Sequence, residues 1–539
     1  MGVRAHAATP LPRARSTGPG RGATIVVVAA ALALLLANGR PVGTPDTGGA
    51  ASWLLRGAVA LGGLAFRLDA AGEALVGKVL AAVFAALAAG ALFAAVARRH
   101  GIAEGRWAGL LLALGTTLAA AAQAWSGEAA ATWAVAVAVL LLVRSEDEDA
   151  AGLAGVAGLP LGLAVAFQPS AVALVLALLV ALIVRWRARG LLVLASALPG
   201  AILAVVSLAT FPPIPASPGR GLLTLLASPA KGALVYAPAA LVGLAGLVRA
   251  LRVPARRLWD QPQPGRFLPV ACGLAAAAHF VWLGITGGWA AGDFWGPRWV
   301  APAWPLLLLF VPEGFAVLKI GASLLAVASV AIQALGAVTY DGRWDRLYRG
   351  PAGELGAAAW DVQRSPIPFQ AKERVARVAR PGLEGGRLVV RERVLVPRGG
   401  TGSFVSFARE RPAPVGVDAT ISALRFEGGA RVTAGHLELK AAGDGLGFHV
   451  PEGSWLRRLE LRIAGQKQGT LGVGESDFGK ETRWRDRPVS GSFRLRLPYY
   501  FPDSGGPDLR VSLRSGGPIA IESIAVVPPS DPEKVLRLP

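Results

Sequence analysis

The chain has 539 residues, 53% of them hydrophobic and only 17% charged, with a formal net charge of +20. Disorder is excluded for most of it, because disordered sequences are poor in apolar residues, and a disulfide scaffold is excluded because Cys272 is the single cysteine. The apolar residues concentrate before about Val338, and the remainder has the composition of soluble protein. That division predicts an α-helical polytopic membrane domain followed by an extramembrane domain.

Up to Thr339 there are 24 Lys/Arg against 12 Asp/Glu, and the basic residues sit in short clusters between apolar runs. This is the pattern of membrane orientation, and no nucleic-acid-binding motif accompanies the charge. A bilayer core takes about 20 mostly apolar residues in a helix. After an N-terminal tail, residues 1–21, that ruler finds eleven spans within 22–339. They lie near 22–38, 74–97, 106–124, 129–144, 151–167, 169–185, 191–210, 232–250, 267–286, 299–314 and 317–338. The first follows Arg13, Arg15 and Arg21 without a convincing small-residue cleavage site, and reads as a retained signal anchor. Residues 50–69, interrupted by Arg56 and Arg67, read as an interfacial helix. The acidic run Glu146 to Asp149 reads as a solvated turn.

With the N-terminus cytoplasmic, the inner segments hold 17 Lys/Arg and the outer ones seven, as the positive-inside rule requires. An odd number of spans then places the tail outside. If Phe167-Gln168-Pro169-Ser170 interrupted a single helix, the count would be even and the Arg249–Arg266 cluster would move outside.

From Tyr340 a Pro/Gly-punctuated connector runs through residue 386. In 387–539 short alternating runs follow, among them His436–Lys440, Leu456–Ile463, Phe493–Leu497, Leu509–Arg514 and Ile519–Val527. Period-two alternation broken by Gly, Pro and Asp predicts antiparallel strands, here an all-β sandwich of jelly-roll kind. Trp455, Trp484, Tyr499 and Tyr500 are core or edge aromatics in the plain reading, and a sugar-stacking surface in the alternative.

The polar groups of the helical part collect on the predicted outer face. Its acids are Asp46, Asp69, Glu73, Glu128 and Asp293, and carboxylates beside hydrocarbon are costly enough to mark function. Glu128 opens a span, so its alternative role is to face the positive end of the helix dipole. Asp69 and Glu73 read as caps of the second span. In the loop Gly287-Gly288-Trp289-Ala290-Ala291-Gly292-Asp293-Phe294-Trp295-Gly296-Pro297-Arg298-Trp299, the tryptophans offer flat faces for sugar rings, and Arg298 offers a fixed fork for phosphate. The plain alternative is an interfacial aromatic belt.

These residues resemble the bacterial GT-C-fold membrane glycosyltransferases, which use polyprenyl-phosphate sugars. Asp46 and Glu128 match that family's acidic positions in the first outer loop and near the start of the fourth span. Further similar stretches are Gly162-Leu163-Ala164…Gln168-Pro169, Gly221-Leu222-Leu223…Ser228-Pro229-Ala230-Lys231-Gly232 through Pro238, and Gly288-Trp289…Trp295-Gly296-Pro297-Arg298. The resemblance covers about residues 20–345. The chain departs from the pattern in having a lone Asp46 followed by Thr47, and Gln168 where relatives often carry a basic residue before proline.

The resemblance implies an inverting transfer from a polyprenyl-phosphate sugar to a lipid, glycan or protein acceptor on the outer face of a bacterial inner membrane, with the β-domain periplasmic. It makes Asp46 and Glu128 catalytic, with Asp46 the general base, and Lys231, Trp289, Asp293, Trp295 and Arg298 substrate-binding. Asp46 and Glu128 are also candidates to hold Mg²⁺ or Mn²⁺. No organic cofactor is expected, and His6, His100, His279, His436 and His449 are too scattered for zinc. The other readings are a non-catalytic partner in envelope polysaccharide assembly or export, and a transporter. Against the transporter stands the lack of an internal repeat and of charges deep in the spans.

Overall fold

The computed structural model describes residues 21–38, 49–65, 68, 70–187, 191–210, 221–252, 267–287, 289, 294–340, 344–345, 359–362 and 365–373. Beyond these it describes 376–384, 387–395, 402–406, 417–420, 424–434, 436–449, 458–464, 468–477, 480–489, 493–496 and 508–527. The chain forms two compact units, Met1–Asp361 with Ala379–Arg391, and Val362–Val378 with Glu392–Pro539.

The first unit is helical. Its elements are α1 (Arg21–Leu36), α2 (Gly49–Ala65), α3 (Ala70–His100), α4 (Ile102–Leu114), α5 (Thr117–Ala121), α6 (Gly127–Asp147), α7 (Ala151–Val156), α8 (Gly158–Phe167) and α9 (Val172–Trp186). Then come α10 (Leu191–Thr210), α11 (Gly221–Ala227), α12 (Ala233–Tyr236), α13 (Ala239–Arg252), α14 (Phe267–Thr286), α15 (Trp304–Leu308), α16 (Val311–Leu318) and α17 (Ile320–Thr339). Each of the eleven apolar runs is therefore helical, although several are broken. The run at 106–124 breaks where Thr116 adopts extended backbone and its hydroxyl accepts the Leu118 N–H at 3.2 Å, starting α5 afresh. Among the described residues, five helices are long and apolar enough to cross a bilayer, or six if the pair bent by 65° at 308–311 is one span. The residues near α1, α2, α7–α8 and α10 form shorter apolar helices.

Small residues let these helices approach closely, as expected where lipid removes the hydrophobic drive between them. Val27 and Ala31 of α1 meet Ala86, Ala89, Phe93 and Ala97 of α3 and Ala113 of α4 in one buried cluster. A Cβ on Gly200 of α10 would lie 2.2 Å from the Gly162 carbonyl carbon of α8, so these backbones touch directly. Facing outward, Leu64, Ile285 and Ile320 are each more than 70% exposed, which suits contact with lipid rather than water.

Ion pairs gather at one end of the bundle, where Arg98 lies 3.6 Å from Glu148 and Arg99 lies 3.7 Å from Glu313. Of the acidic run, Asp147, Glu148 and Asp149 are exposed, as the sequence suggests, but Glu146 is half-buried within α6; Asp147 and Glu148 pair with Arg98, and Glu148 also with Arg144. At 1.5 Å per residue, the other end of α6 lies about 30 Å away, and there Glu128 stands.

The second unit carries α18 (Pro366–Glu373), and it accounts for most of the strands. These are β1 (Ala376–Glu384), β2 (Arg387–Leu395), β3 (Gly402–Ser406), β4 (Val417–Thr420), β5 (Arg425–Glu427), β6 (Arg431–Thr433), β7 (His436–Leu439) and β8 (Gly445–His449). They continue with β9 (Arg458–Ala464), β10 (Gly469–Asp477), β11 (Lys480–Val489), β12 (Phe493–Arg496), β13 (Asp508–Gly516) and β14 (Ile519–Val527). β1 and β2 form a separate two-stranded sheet. Strands β7 to β14 form two antiparallel sheets, ordered β7-β14-β9-β12 and β8-β13-β10-β11. Successive strands alternate between the sheets except at β10–β11, which is the jelly-roll connectivity. Between the sheets lie Leu437, Leu439, Leu446, Phe448, Leu461, Ile463, Leu471, Val511, Leu513 and Ile521, the inward half of each alternating run.

Candidate functional site

Glu128 is the second residue of α6 and only 1% exposed. Its approach to α8 is possible because residue 127 is glycine: a Cβ there would sit 2.0 Å from the Phe167 carbonyl oxygen. Arg298 Nε donates to Glu128 Oε1 at 3.2 Å, although the two are separated by 170 residues of sequence. The guanidinium carbon lies 5.6 Å from the Phe294 ring centre and 5.9 Å from that of Trp299, so two aromatic faces and a carboxylate orient it. Arg298 keeps 17% of its side chain exposed.

The loop that carries Arg298 is held at both ends. Trp299 has φ 69°, left-handed backbone that a bulky residue adopts only under constraint. Its carbonyl accepts Gln168 Nε2 at 2.8 Å and His279 Nε2 at 2.8 Å, and both of those side chains are buried. Because the acceptor is a carbonyl, His279 carries its proton on Nε2. Arg298 N donates to the Trp289 carbonyl at 2.8 Å, and at the entry the Phe294 carbonyl accepts Lys231 Nζ.

Lys231 is 1% exposed and pairs with Asp345 at 2.7 Å; Tyr340 donates its hydroxyl to the other carboxylate oxygen. The ammonium lies 5.9 Å from the Trp344 ring centre. Lys231 is thus enclosed by protein groups rather than standing open to a lipid phosphate. Trp289 and Trp295 are also enclosed, at 1% and 3% exposure, so neither offers an open face to a sugar ring. Trp295 packs edge-on to Tyr236 with ring centres 5.2 Å apart, lies 5.5 Å from Tyr340, and donates Nε1 to the Ile332 carbonyl at 3.1 Å.

On the same side, Lys78 of α3 is fully buried, donating to Gln123 Oε1 at 2.8 Å and to the carbonyl of Asn38, where the first loop leaves α1. Asp46, Asp293 and Asp69 lie outside the described residues, and Glu73 falls in the first turn of α3. Among the described residues no three His, Cys, Asp or Glu side chains gather as a metal site. The described partner of Glu128 is a guanidinium.

Asp345, Tyr340 and Trp344 escaped the sequence reading because a polar stretch after the last span looks like connector. The signal available was an acid set among aromatics immediately beyond an apolar run. Gln168 and His279 were visible only as a departure from a motif and as an isolated histidine. Their shared carbonyl partner belongs to the tertiary structure.

No family model and no curated relative matches the sequence. Among solved structures, ArnT from Cupriavidus metallidurans, bound to undecaprenyl phosphate, is similar at 18% identity and TM-score 0.38, over 61% of this chain and 69% of that one. The mycobacterial arabinofuranosyltransferase AftD is similar at 12% and 0.36, over 96% of this chain and 63% of that one. The arabinosyltransferase EmbB from Mycobacterium smegmatis is similar at 14% and 0.35, over 98% and 66%. This chain therefore spans about two thirds of the length of each. These three solved structures are GT-C-fold membrane glycosyltransferases.

Proposed function

We propose that the protein is a membrane glycosyltransferase that moves a sugar from a polyprenyl phosphate to an acceptor hydroxyl at the outer membrane face. The observation that carries this reading is the Glu128–Arg298 pair, its carboxylate buried, with the flanking rings of Phe294 and Trp299. An arginine fixed in this way presents a planar fork suited to phosphate. Glu128 orients the guanidinium and offsets its charge when no phosphate is present.

In the proposed reaction the acceptor oxygen attacks the anomeric carbon while Asp46 takes its proton. The bond from that carbon to the phosphate oxygen breaks, and its electron pair leaves with the polyprenyl phosphate, whose charge Arg298 stabilises. The prenyl chain stays in lipid throughout. ArnT is bound to undecaprenyl phosphate, a lipid of the class proposed here.

The test is transfer from a polyprenyl-phosphate sugar in proteoliposomes. Arg298→Lys keeps the charge and loses the fork, so donor KM is expected to rise by about 10–100-fold. Asp46→Asn is expected to abolish transfer while donor binding persists. Unchanged transfer in both variants overturns the assignment of Arg298 and Asp46, and absence of transfer by the wild-type protein overturns the reading in favour of a non-catalytic envelope protein.

A further inference from the structure

Beyond α17 the chain returns to the helical unit and fastens on one short stretch, Ser228 to Gly232. Asp345 pairs with Lys231 at 2.7 Å, Tyr340 donates to Asp345, and the Ala359 carbonyl accepts the Ala230 N–H at 3.3 Å. The side chains of Lys231 and Asp345 are 1% and 0% exposed. Stripping two charges of water is costly, and apolar replacements of such a pair are often equally stable. The pair therefore calls for a role other than stability.

That role is visible in the second bond of the lysine. Its ammonium also donates to the Phe294 carbonyl, and Phe294 lends its ring to one side of Arg298. Gln168 and His279 hold the far end of the loop at Trp299, whose ring flanks Arg298 as well. Lys231 and Asp345 hold the near end.

We propose that Asp345 is a positioning residue for phosphate binding at Arg298: through Lys231 it holds the Phe294 carbonyl, and with it the ring that orients the guanidinium. This rests on the reading of Arg298 as the phosphate group's partner. Asp345 touches no substrate in this scheme. It fixes the lysine's ammonium beside the carbonyl, and Tyr340 fixes the carboxylate in turn. The device also explains why the lysine is buried, which direct contact with lipid phosphate would not.

The experiment is equilibrium binding of a polyprenyl phosphate without sugar to the full-length protein in nanodiscs, for Asp345→Asn, Arg298→Ala and the double variant. Misplacing a binding group by about 1 Å can cost up to ~100-fold, so Asp345→Asn is expected to weaken binding by about 10–100-fold. Because Asp345 acts through Arg298, the double variant is expected to bind no more weakly than Arg298→Ala alone. Wild-type affinity in Asp345→Asn, or losses that simply add, would overturn the proposal. Should Asp345→Asn fail to fold, Tyr340→Phe removes only the hydroxyl bond, and amide exchange across 294–299 serves as the second readout. Faster exchange with weaker binding is the expected result; no change in either overturns the proposal. If the wild type itself does not bind polyprenyl phosphate, the functional reading fails, and the exchange data still decide whether Asp345 holds the loop.

Discussion

Replacing Gly127 with alanine tests whether the site depends on a direct backbone contact between α6 and α8. The added Cβ would lie 2.0 Å from the Phe167 carbonyl oxygen and 2.9 Å from its carbon, with the Ala51 Cβ at 3.4 Å on another side. An ordinary C···O contact is about 3.3 Å, so the two segments must part by about 1.3 Å. Both obstructing atoms are backbone, and neither can rotate away. Glu128 follows Gly127 directly and Gln168 follows Phe167, so each shifted segment carries a residue that holds the Arg298 loop. Moving Glu128 by that amount takes the 3.2 Å bond to Arg298 out of hydrogen-bond range. Overpacking of this kind costs about 1–3 kcal/mol, and a misplacement near 1 Å costs up to ~100-fold in a binding or catalytic step. Thermal unfolding in detergent and donor KM in proteoliposomes give the two readouts. Gly63→Ala on α2 is the control, because a Cβ there meets nothing within 4 Å, and it is expected to be neutral or slightly stabilising. If Gly127→Ala and Gly63→Ala behave alike in both assays, the close contact does not set the site and the reasoning fails.

Gln168→Leu removes one of two bonds to the strained Trp299 carbonyl; it is expected to lower stability by about 1–3 kcal/mol and to raise donor KM, and an unchanged KM would separate Gln168 from the site. In the β-unit the Asp444 carboxylate accepts N–H groups of Gly429 at 2.6 Å, Lys440 at 2.8 Å and Ala441 at 2.9 Å. The Ala441 and Gly429 bonds lead in holding its pKa below the usual value. A depressed carboxyl pKa stabilises the fold above the unfolded value of about 3.9 and loses that contribution as pH falls through the folded value. The unfolding temperature of the β-unit is therefore expected to drop on acidification below about pH 4, and Asp444→Asn should flatten that slope; an equally steep slope in the variant would assign it to other groups. Cys272, the single cysteine, is buried, which makes sidedness measurable with introduced cysteines. Val362→Cys is expected to react with an impermeant maleimide from outside intact cells and Glu148→Cys is not, whereas the reverse pattern would invert the proposed topology.

Much of the architecture is determined by sequence alone, because hydropathy records the surroundings of each segment. The eleven apolar runs are helical for that reason, and the alternating runs at 436–440, 509–514 and 519–527 are strands because a half-buried sheet demands period two. The Gly-rich run at 469–477 and the charged one at 480–489 lack clean alternation, and they became β10 and β11 through the partners they pair with. Strand order, and with it the jelly roll, is likewise a property of pairing. For the site, sequence marked Glu128 as a costly carboxylate beside hydrocarbon and Arg298 as a fork for phosphate. Only the tertiary structure brought them to 3.2 Å across 170 residues. It also decided that Lys231 faces Asp345 and that Trp289 and Trp295 are packing groups. A charge does not announce its partner, and a tryptophan has the same composition whether its ring faces a ligand or a neighbouring tyrosine. The number of charges in the membrane unit was legible from the chain; which charges hold one another depends on how the helices meet.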